Sequence, residues 1–169
     1  MALEAAWVTV TDVVLIHSDL DTVYQFLWDA RRWPEVNAHV RSVEVCDESA
    51  VRQRLRMQLE ADGRSVTTES IRDGEPPHRI RYWQVHPPPF LREHTGVWEC
   101  ADEGTGVRVS LTHAAVLEQQ IAPEYLGVPT VDEARARVAE MLSRNGRRTI
   151  EGIKRLVEGL ADEGPRTES

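Results

Sequence analysis

Cysteine is nearly absent from this 169-residue chain: Cys46 and Cys100 are the only two. That excludes the disulfide framework of a small secreted scaffold, and both thiols are expected to be reduced. Lysine is rarer still, with Lys154 alone. The arginines are scattered among more numerous acids and the net charge is −8. A phosphate backbone is held by clustered cations, so nucleic acid is excluded as a partner. No apolar run approaches the roughly 20 residues that cross a bilayer. Residues 1–7, MALEAAW, lack the basic and then apolar regions of a signal peptide. A cytoplasmic protein with no membrane partner is expected. None of the ten glycines falls in a G-x-G-x-x-G or P-loop pattern, and there is no G-x-S-x-G elbow. The six histidines and two cysteines have no metal-ligand spacing. No metal and no cofactor are expected.

What is present is an ordinary globular balance, 41% apolar and 28% charged, in a length that suits one domain with room for a pocket. Residues 8–16 alternate as a strand. Ser18 and Asp19 supply capping side chains, and Leu20, Val23, Tyr24 and Leu27 recur at helical spacing, so a short helix is expected to about Ala30. Trp33-Pro34-Glu35 breaks it. Short strands follow at about 40–46, 51–59, 64–72, 79–85, 91–100 and 107–117, separated by turn residues such as Asp62-Gly63 and Pro87-Pro88-Pro89. Such short connections imply an antiparallel meander. Thr130 and Glu133 form a capping box, and Ala134, Val138, Met141, Leu142, Ile153, Leu156, Val157 and Leu160 lie three or four apart, so one long helix closes the chain. Gly146 and Gly152 predict a bend near its middle. The order is that of an α+β helix-grip fold: a seven-stranded antiparallel sheet curled around the C-terminal helix, with two short helices after the first strand. The domain is expected over 1–161, with a frayed polar tail over 162–169. A sheet wrapped on a helix leaves space that side chains do not fill, a natural ligand cavity.

Few residues inside that cavity carry chemistry. Strand alternation puts His113 with Val107, Val109, Leu111 and Ala115 on the apolar, inward face. Two readings stand: a buried ring satisfied by a backbone carbonyl, or a proton-moving group lining the cavity. Val66, Thr68, Ser70 and Arg72 share one face of their strand. Either that face is inward and carries two hydroxyls and a guanidinium, or Arg72 points to solvent at the strand end. The apolar stripe of the last helix, continued through its middle, sets Asn145 and Thr149 toward the sheet. Five tryptophans include Trp33 at the helix break and Trp98 on a face with His94, Gly96 and Cys100. They suit either a packed core or a flat ligand.

Several of these stretches together resemble the polyketide aromatase/cyclases of the Bet v 1-like (START) superfamily, in their single-domain, first-ring form. They are VYQFLWD at 23–29 leading to Trp33-Pro34-Glu35, Thr68-Glu69-Ser70-Ile71-Arg72, Gly96-Val97-Trp98-Glu99, Leu111-Thr112-His113, and TVDEAR at 130–135 running to Arg144-Asn145. The resemblance covers nearly the whole chain. It implies the helix-grip fold and an enzyme that closes the first ring of a poly-β-ketone by aldol addition and dehydration, without a cofactor. The substrate would be held on an acyl carrier protein and handed over by polyketide synthase components to a monomer or homodimer. The resemblance further implies Arg72 as the pocket arginine that stabilises enolate and alkoxide, and His113 as the base. Ser70 and Trp98 would line the pocket, Trp33 its mouth, and Thr68, Asn145 and Thr149 would orient carbonyls. Thr149 stands where members of this type carry an acid, which places catalysis on Arg72 and His113. The competing expectation is a non-catalytic carrier of lipid, quinone or another small hydrophobic ligand, since the same fold serves both.

Overall fold

A computed structural model describes residues 6–61 and 63–162. Strand β1 (Trp7–Ile16) leads to helix α1 (Leu20–Trp28), a 3-10 turn (Ala30–Arg32) and the one-turn helix α2 (Trp33–Val36). Strands β2 (Val40–Glu48), β3 (Arg52–Ala61), β4 (Arg64–Glu75), β5 (Arg79–Gln84), β6 (Leu91–Asp102) and β7 (Val107–Leu117) follow, then α3 (Ala122–Leu126) and α4 (Val131–Asp162). The strands form one antiparallel sheet in the order β1-β7-β6-β5-β4-β3-β2. This is the expected α+β helix-grip architecture.

Local chemistry explains most boundaries. Asp19 caps α1, its side chain accepting from the Thr22 amide at 2.9 Å, and Thr130 Oγ1 accepts from the Glu133 amide at the start of α4. Pro34 does not end helical structure there. It occupies the first turn of α2, where a missing amide proton costs nothing. Strand β4 runs past the expected end at 72, through Asp73-Gly74-Glu75, and the chain reverses only at Pro76–His78. Gly74 is needed there because a Cβ would meet the Trp28 ring at 2.8 Å. Helix α3 was not expected at all. The 162–169 tail begins in the last residue of α4, and 163–169 lie outside the described residues.

Helix α4 is continuous from 131 to 162. Its two inward glycines serve close approach. A Cβ at Gly152 would overlap the Val36 carbonyl oxygen, and one at Gly146 would crowd Asp12 and His113. The buried stripe of α4 runs Ala134, Val138, Leu142, Gly146, Ile150, Ile153 and Val157. It packs chiefly along β1 and β7 and touches α1, α2 and α3. Part of the inner face away from β1 and β7 therefore stays accessible: Met57, Leu59, Tyr82 and His94 are only partly buried. No helix among the described residues is long and apolar enough to cross a membrane.

Candidate functional site

One row of residues runs across the inner face of the sheet. The pairings Gln53↔Arg72, Arg72↔Tyr82, Tyr82↔Gly96, Gly96↔His113 and His113↔Val10 put these residues side by side on β3, β4, β5, β6, β7 and β1. Arg72 and His113 thus stand three strands apart, about 14 Å between backbones at the usual strand spacing. They share one face, but they do not touch.

Arg72 is 2% exposed, so the solvent-facing alternative is set aside. Nη1 donates to the Trp28 carbonyl at 3.0 Å and to Gln53 Oε1 at 2.9 Å, and Nη2 donates to the Leu27 carbonyl. The cation therefore sits on the carbonyl end of α1, where the helix leaves acceptors unpaired and carries partial negative charge. The guanidinium carbon also lies 5.5 Å from the Trp28 ring centre and 5.2 Å from that of Trp33. Burial lowers its pKa to about 10, which still leaves it charged at neutral pH. Its Nε–H has no partner among the described residues.

At the other end of the row, His113 is 8% exposed. It is not satisfied by a backbone carbonyl. The Tyr82 hydroxyl lies 2.7 Å from its Nδ1 and His94 Nε2 lies 3.4 Å from the same atom. Nδ1 is best assigned as the acceptor, which puts the ring proton on Nε2. Nε2 has no partner. Burial, followed by the neighbouring His94, depresses the His113 pKa to about 3, and burial takes His94 to about 4. Both rings are neutral at working pH. Burial also raises the Tyr82 phenol well above its ordinary value, a shift that the charge of Arg72 opposes.

The other expected residues divide. Thr68 and Ser70 are buried on the inner face of β4, with Thr68 Oγ1 unpartnered. Trp98 is 2% exposed and meets Trp33 edge-on at 6.0 Å, and neither indole N–H finds an acceptor. Thr149 donates its hydroxyl proton to the Asn145 carbonyl at 3.0 Å and accepts from Asn37 Nδ2 at 3.2 Å, tying α4 to the turn after α2. Asn145 is exposed, contrary to expectation. The stripe steps 138, 142, 146, 150, so the inward position belongs to Gly146, and Asn145 is turned about 100° away.

Neither Asp12 nor Tyr82 stands out in the sequence as a candidate, and His94 does so only as a neighbour of Trp98 on one strand face. Asp12 is 8% exposed among Val8, Val10, Val14 and Ile16, a polar residue at an apolar-face position, which is the same signal that singled out His113. Its Oδ1 lies 3.4 Å from Ser143 Oγ and 3.8 Å from Arg147 Nε, and Oδ2 is unpartnered. Tyr82 lies in phase with Ile80 and Gln84, an alternation legible in Arg79–Gln84.

The unpartnered buried atoms have a chemical bias. Arg72 Nε, Trp33 Nε1, Trp98 Nε1 and, in the assigned tautomer, His113 Nε2 are donors; Thr68 and Tyr24 hydroxyls serve either way; only Asp12 Oδ2 and Gln84 Oε1 are pure acceptors. Two surface hollows contain none of these atoms. One, of about 210 Å³, lies by Glu75, His78, Arg79 and Glu99. The other, of about 440 Å³, lies by Glu140, Arg144, Arg147 and Glu151.

The actinorhodin polyketide synthase bifunctional cyclase/dehydratase of Streptomyces coelicolor is 30% identical over 142 residues, which are 77% of this chain and 44% of that protein. The chain thus spans less than half the length of this curated relative. Among solved structures, the di-domain ARO/CYC BexL from the BE-7585A biosynthetic pathway superposes with a TM-score of 0.82 at 38% identity, covering 88% of this chain and 49% of that one. The Zhui aromatase/cyclase from Streptomyces sp. R1128 shares the fold, with a TM-score of 0.78 at 24% identity over 90% of this chain and 94% of its own. The family model described as polyketide cyclase / dehydrase and lipid transport matches residues 16–145, well over half of the sequence, and the chain belongs to that family.

Proposed function

We propose that this chain is an aromatase/cyclase: it folds a carrier-bound poly-β-ketone against the row from Arg72 to His113, closes the first ring by aldol addition and assists the loss of water. The observation that carries this reading is the surplus of buried donors. A buried polar group without a partner costs about 1–3 kcal/mol. Three buried N–H groups without acceptors among the described residues, Arg72 Nε, Trp33 Nε1 and Trp98 Nε1, call for a ligand rich in oxygen acceptors and poor in donors. A chain of alternating carbonyls fits, whereas a hydrocarbon tail would leave every one of them unpaired. That weighs against the plain lipid carrier.

The chemistry follows from what each group can do. A methylene between two carbonyls is already acidic, so deprotonation needs only a modest base. Arg72 Nε–H, held rigid by the three acceptors on its Nη atoms, is preorganised to stabilise the enolate and then the new alkoxide. Trp33, Trp98, Thr68 and Ser70 would hold further carbonyls and fix one fold of a flexible chain, which removes competing aldol partners. His113 enters this scheme in a changed role. A neutral ring with a pKa near 3, whose Nδ1 already accepts from Tyr82, is poorly placed to take a substrate proton unaided. No cofactor is needed for any step. The relatives are named as polyketide synthase components, and we take this chain to work beside such components.

The reading is tested with purified protein and a minimal polyketide synthase, scoring the ratio of directed to spontaneously cyclised products. An Arg72→Met protein that keeps the wild-type ratio would remove the electrostatic role. A wild-type protein that leaves the product profile as it is without protein would make the carrier the better reading.

A further inference from the structure

Arg72 and His113 stand too far apart to act on one carbon without something between them, and Tyr82 is what lies between. It pairs with Arg72 on one side and with Gly96 on the other, and Gly96 pairs with His113. A Cβ at Gly96 would overlap Cε1, Cζ and Oη of Tyr82, so the glycine lets the phenol lie across β6 and reach His113 Nδ1 at 2.7 Å. Tyr82 is also the more accessible of the row's polar side chains: it is partly buried, while Arg72 and His113 are 2% and 8% exposed. Behind the ring, His113 Nε2 and Asp12 Oδ2 lie 3.1 and 2.8 Å from the point where a Gly146 Cβ would stand. A donor and an acceptor, each unpartnered among the described residues, therefore flank one notch in α4.

We infer, on the strength of the aldol reading of this site, that Tyr82 is a catalytic residue whose hydroxyl meets the substrate beside Arg72 and relays protons between the reacting chain and His113. Asp12, whose Oδ2 faces the same notch in α4 without a hydrogen bond to the ring, is a positioning residue that biases the ring's tautomer across that gap. His113 cannot meet the substrate directly by either nitrogen, because Tyr82 covers Nδ1 and Nε2 faces α4.

The steps balance. The methylene proton passes to Tyr82 Oη while the phenol's own proton passes to His113 Nδ1, and the C–H electron pair becomes the enolate with its oxygen by Arg72. The enolate carbon then bonds to the distant carbonyl carbon, whose π pair moves onto oxygen. That alkoxide takes a proton from Tyr82 as His113 returns the one it held. For dehydration, the same pair removes a second proton from the new ring's α-carbon and delivers it to the departing hydroxide as water. No oxidant, reductant or further reactant is used. Burial keeps the phenol protonated and the imidazole neutral between steps, so the pair returns to one resting state.

The test uses the whole chain with a synthetic poly-β-ketone thioester. Tyr82→Phe retains the ring and its packing. It is expected to lower the kcat for directed ring closure about 100-fold, the usual scale for a proton-transfer group, with KM within about twofold. His113→Gln should fall as far, and the double variant no further than either alone, because the two act as a unit. Gly96→Ala should match Tyr82→Phe although the phenol is still present. Asp12→Asn should lower kcat and move the ring-nitrogen signals of His113 in 15N NMR, which should show the Nε2–H tautomer in the wild type. A Tyr82→Phe protein within about threefold of wild type, or one impaired through KM alone, overturns the relay while losses in Arg72→Met and His113→Gln keep the aldol reading intact. If those two variants also retain wild-type activity, the aldol reading falls and takes the relay with it. An Nδ1–H tautomer in the wild type overturns the assigned direction of the relay.

Discussion

Two apolar cores lie inside this fold, and what separates them differs from both. Around the first half of α4, Ala6, Val8, Ala115, Leu117, Ala134, Val138 and Leu142 make a mostly aliphatic core in which Phe90 is the one aromatic ring. Around the second half, Tyr24, Leu27, Ile80, Trp98, Ile150, Ile153 and Val157 make a larger, more aromatic one with Trp28 and Trp33 against it. The polar row crosses between them. Asp12 falls between Val10 and Val14 on β1, His113 between Leu111 and Ala115 on β7, and Gly146 between Leu142 and Ile150 on α4. The cores are well explained by burial, since a fully buried Leu or Ile contributes about 1.5–3 kcal/mol. The belt is not, because each unpartnered polar atom in it opposes folding. A sequence shaped only for stability would fill those positions with apolar groups, so the contrast assigns stability to the cores and chemistry to the belt.

Breaking the belt should give the largest effect. Arg72→Met keeps the aliphatic stem and removes the donors, and directed ring closure should fall about 100-fold, the scale on which one preorganised donor acts. The carbonyls of Leu27 and Trp28 also lose their partner, so a lower Tm should accompany the change. Product ratios by chromatography and a thermal melt check both. Breaking a core should do the opposite. Ile153→Ala should lower stability by about 2–5 kcal/mol in urea titrations while the product ratio per folded molecule stays as in wild type.

Acid should sharpen the contrast more gently. His113 and His94 have folded pKa values of about 3 and 4, depressed from an unfolded value near 6.5. Above pH 6.5 both states are neutral there and contribute nothing. Between about pH 6.5 and 3 the unfolded chain binds protons that the folded one resists, so stability falls as pH is lowered through that window. Urea midpoints from pH 7.5 to 4 should show this fall, and His94→Gln should flatten part of it. The smallest effect belongs to a remote cap: Asp19→Ala should cost about 1 kcal/mol and leave the product ratio unchanged.

Period and turn chemistry made most of the fold legible in the sequence. Residues 107–117 alternate cleanly because β7 is buried on one face from end to end, and the expected limits agree with the strand found. Gly146 and Gly152 show what propensity leaves out: it registers only the local penalty of a helical glycine, whereas each faces another element across the core. Asn145 misled for a related reason: on a helix, one residue of phase separates the buried stripe from solvent, and only packing against β1 fixes that phase. Arg72 and His113 were legible as positions on strand faces. Their connection was not, because Tyr82 and Gly96 are joined to them by strand register, which no single segment of sequence contains.

The most direct measurement is a crystal structure of the chain bound to a stable poly-β-carbonyl mimic. Carbonyl oxygens are expected within hydrogen-bond distance of Arg72 Nε and Trp98 Nε1, with the mimic lying along the belt toward Tyr82. A mimic seated wholly against the two apolar cores, with Arg72 Nε and both indole N–H groups still unpaired, would contradict this placement.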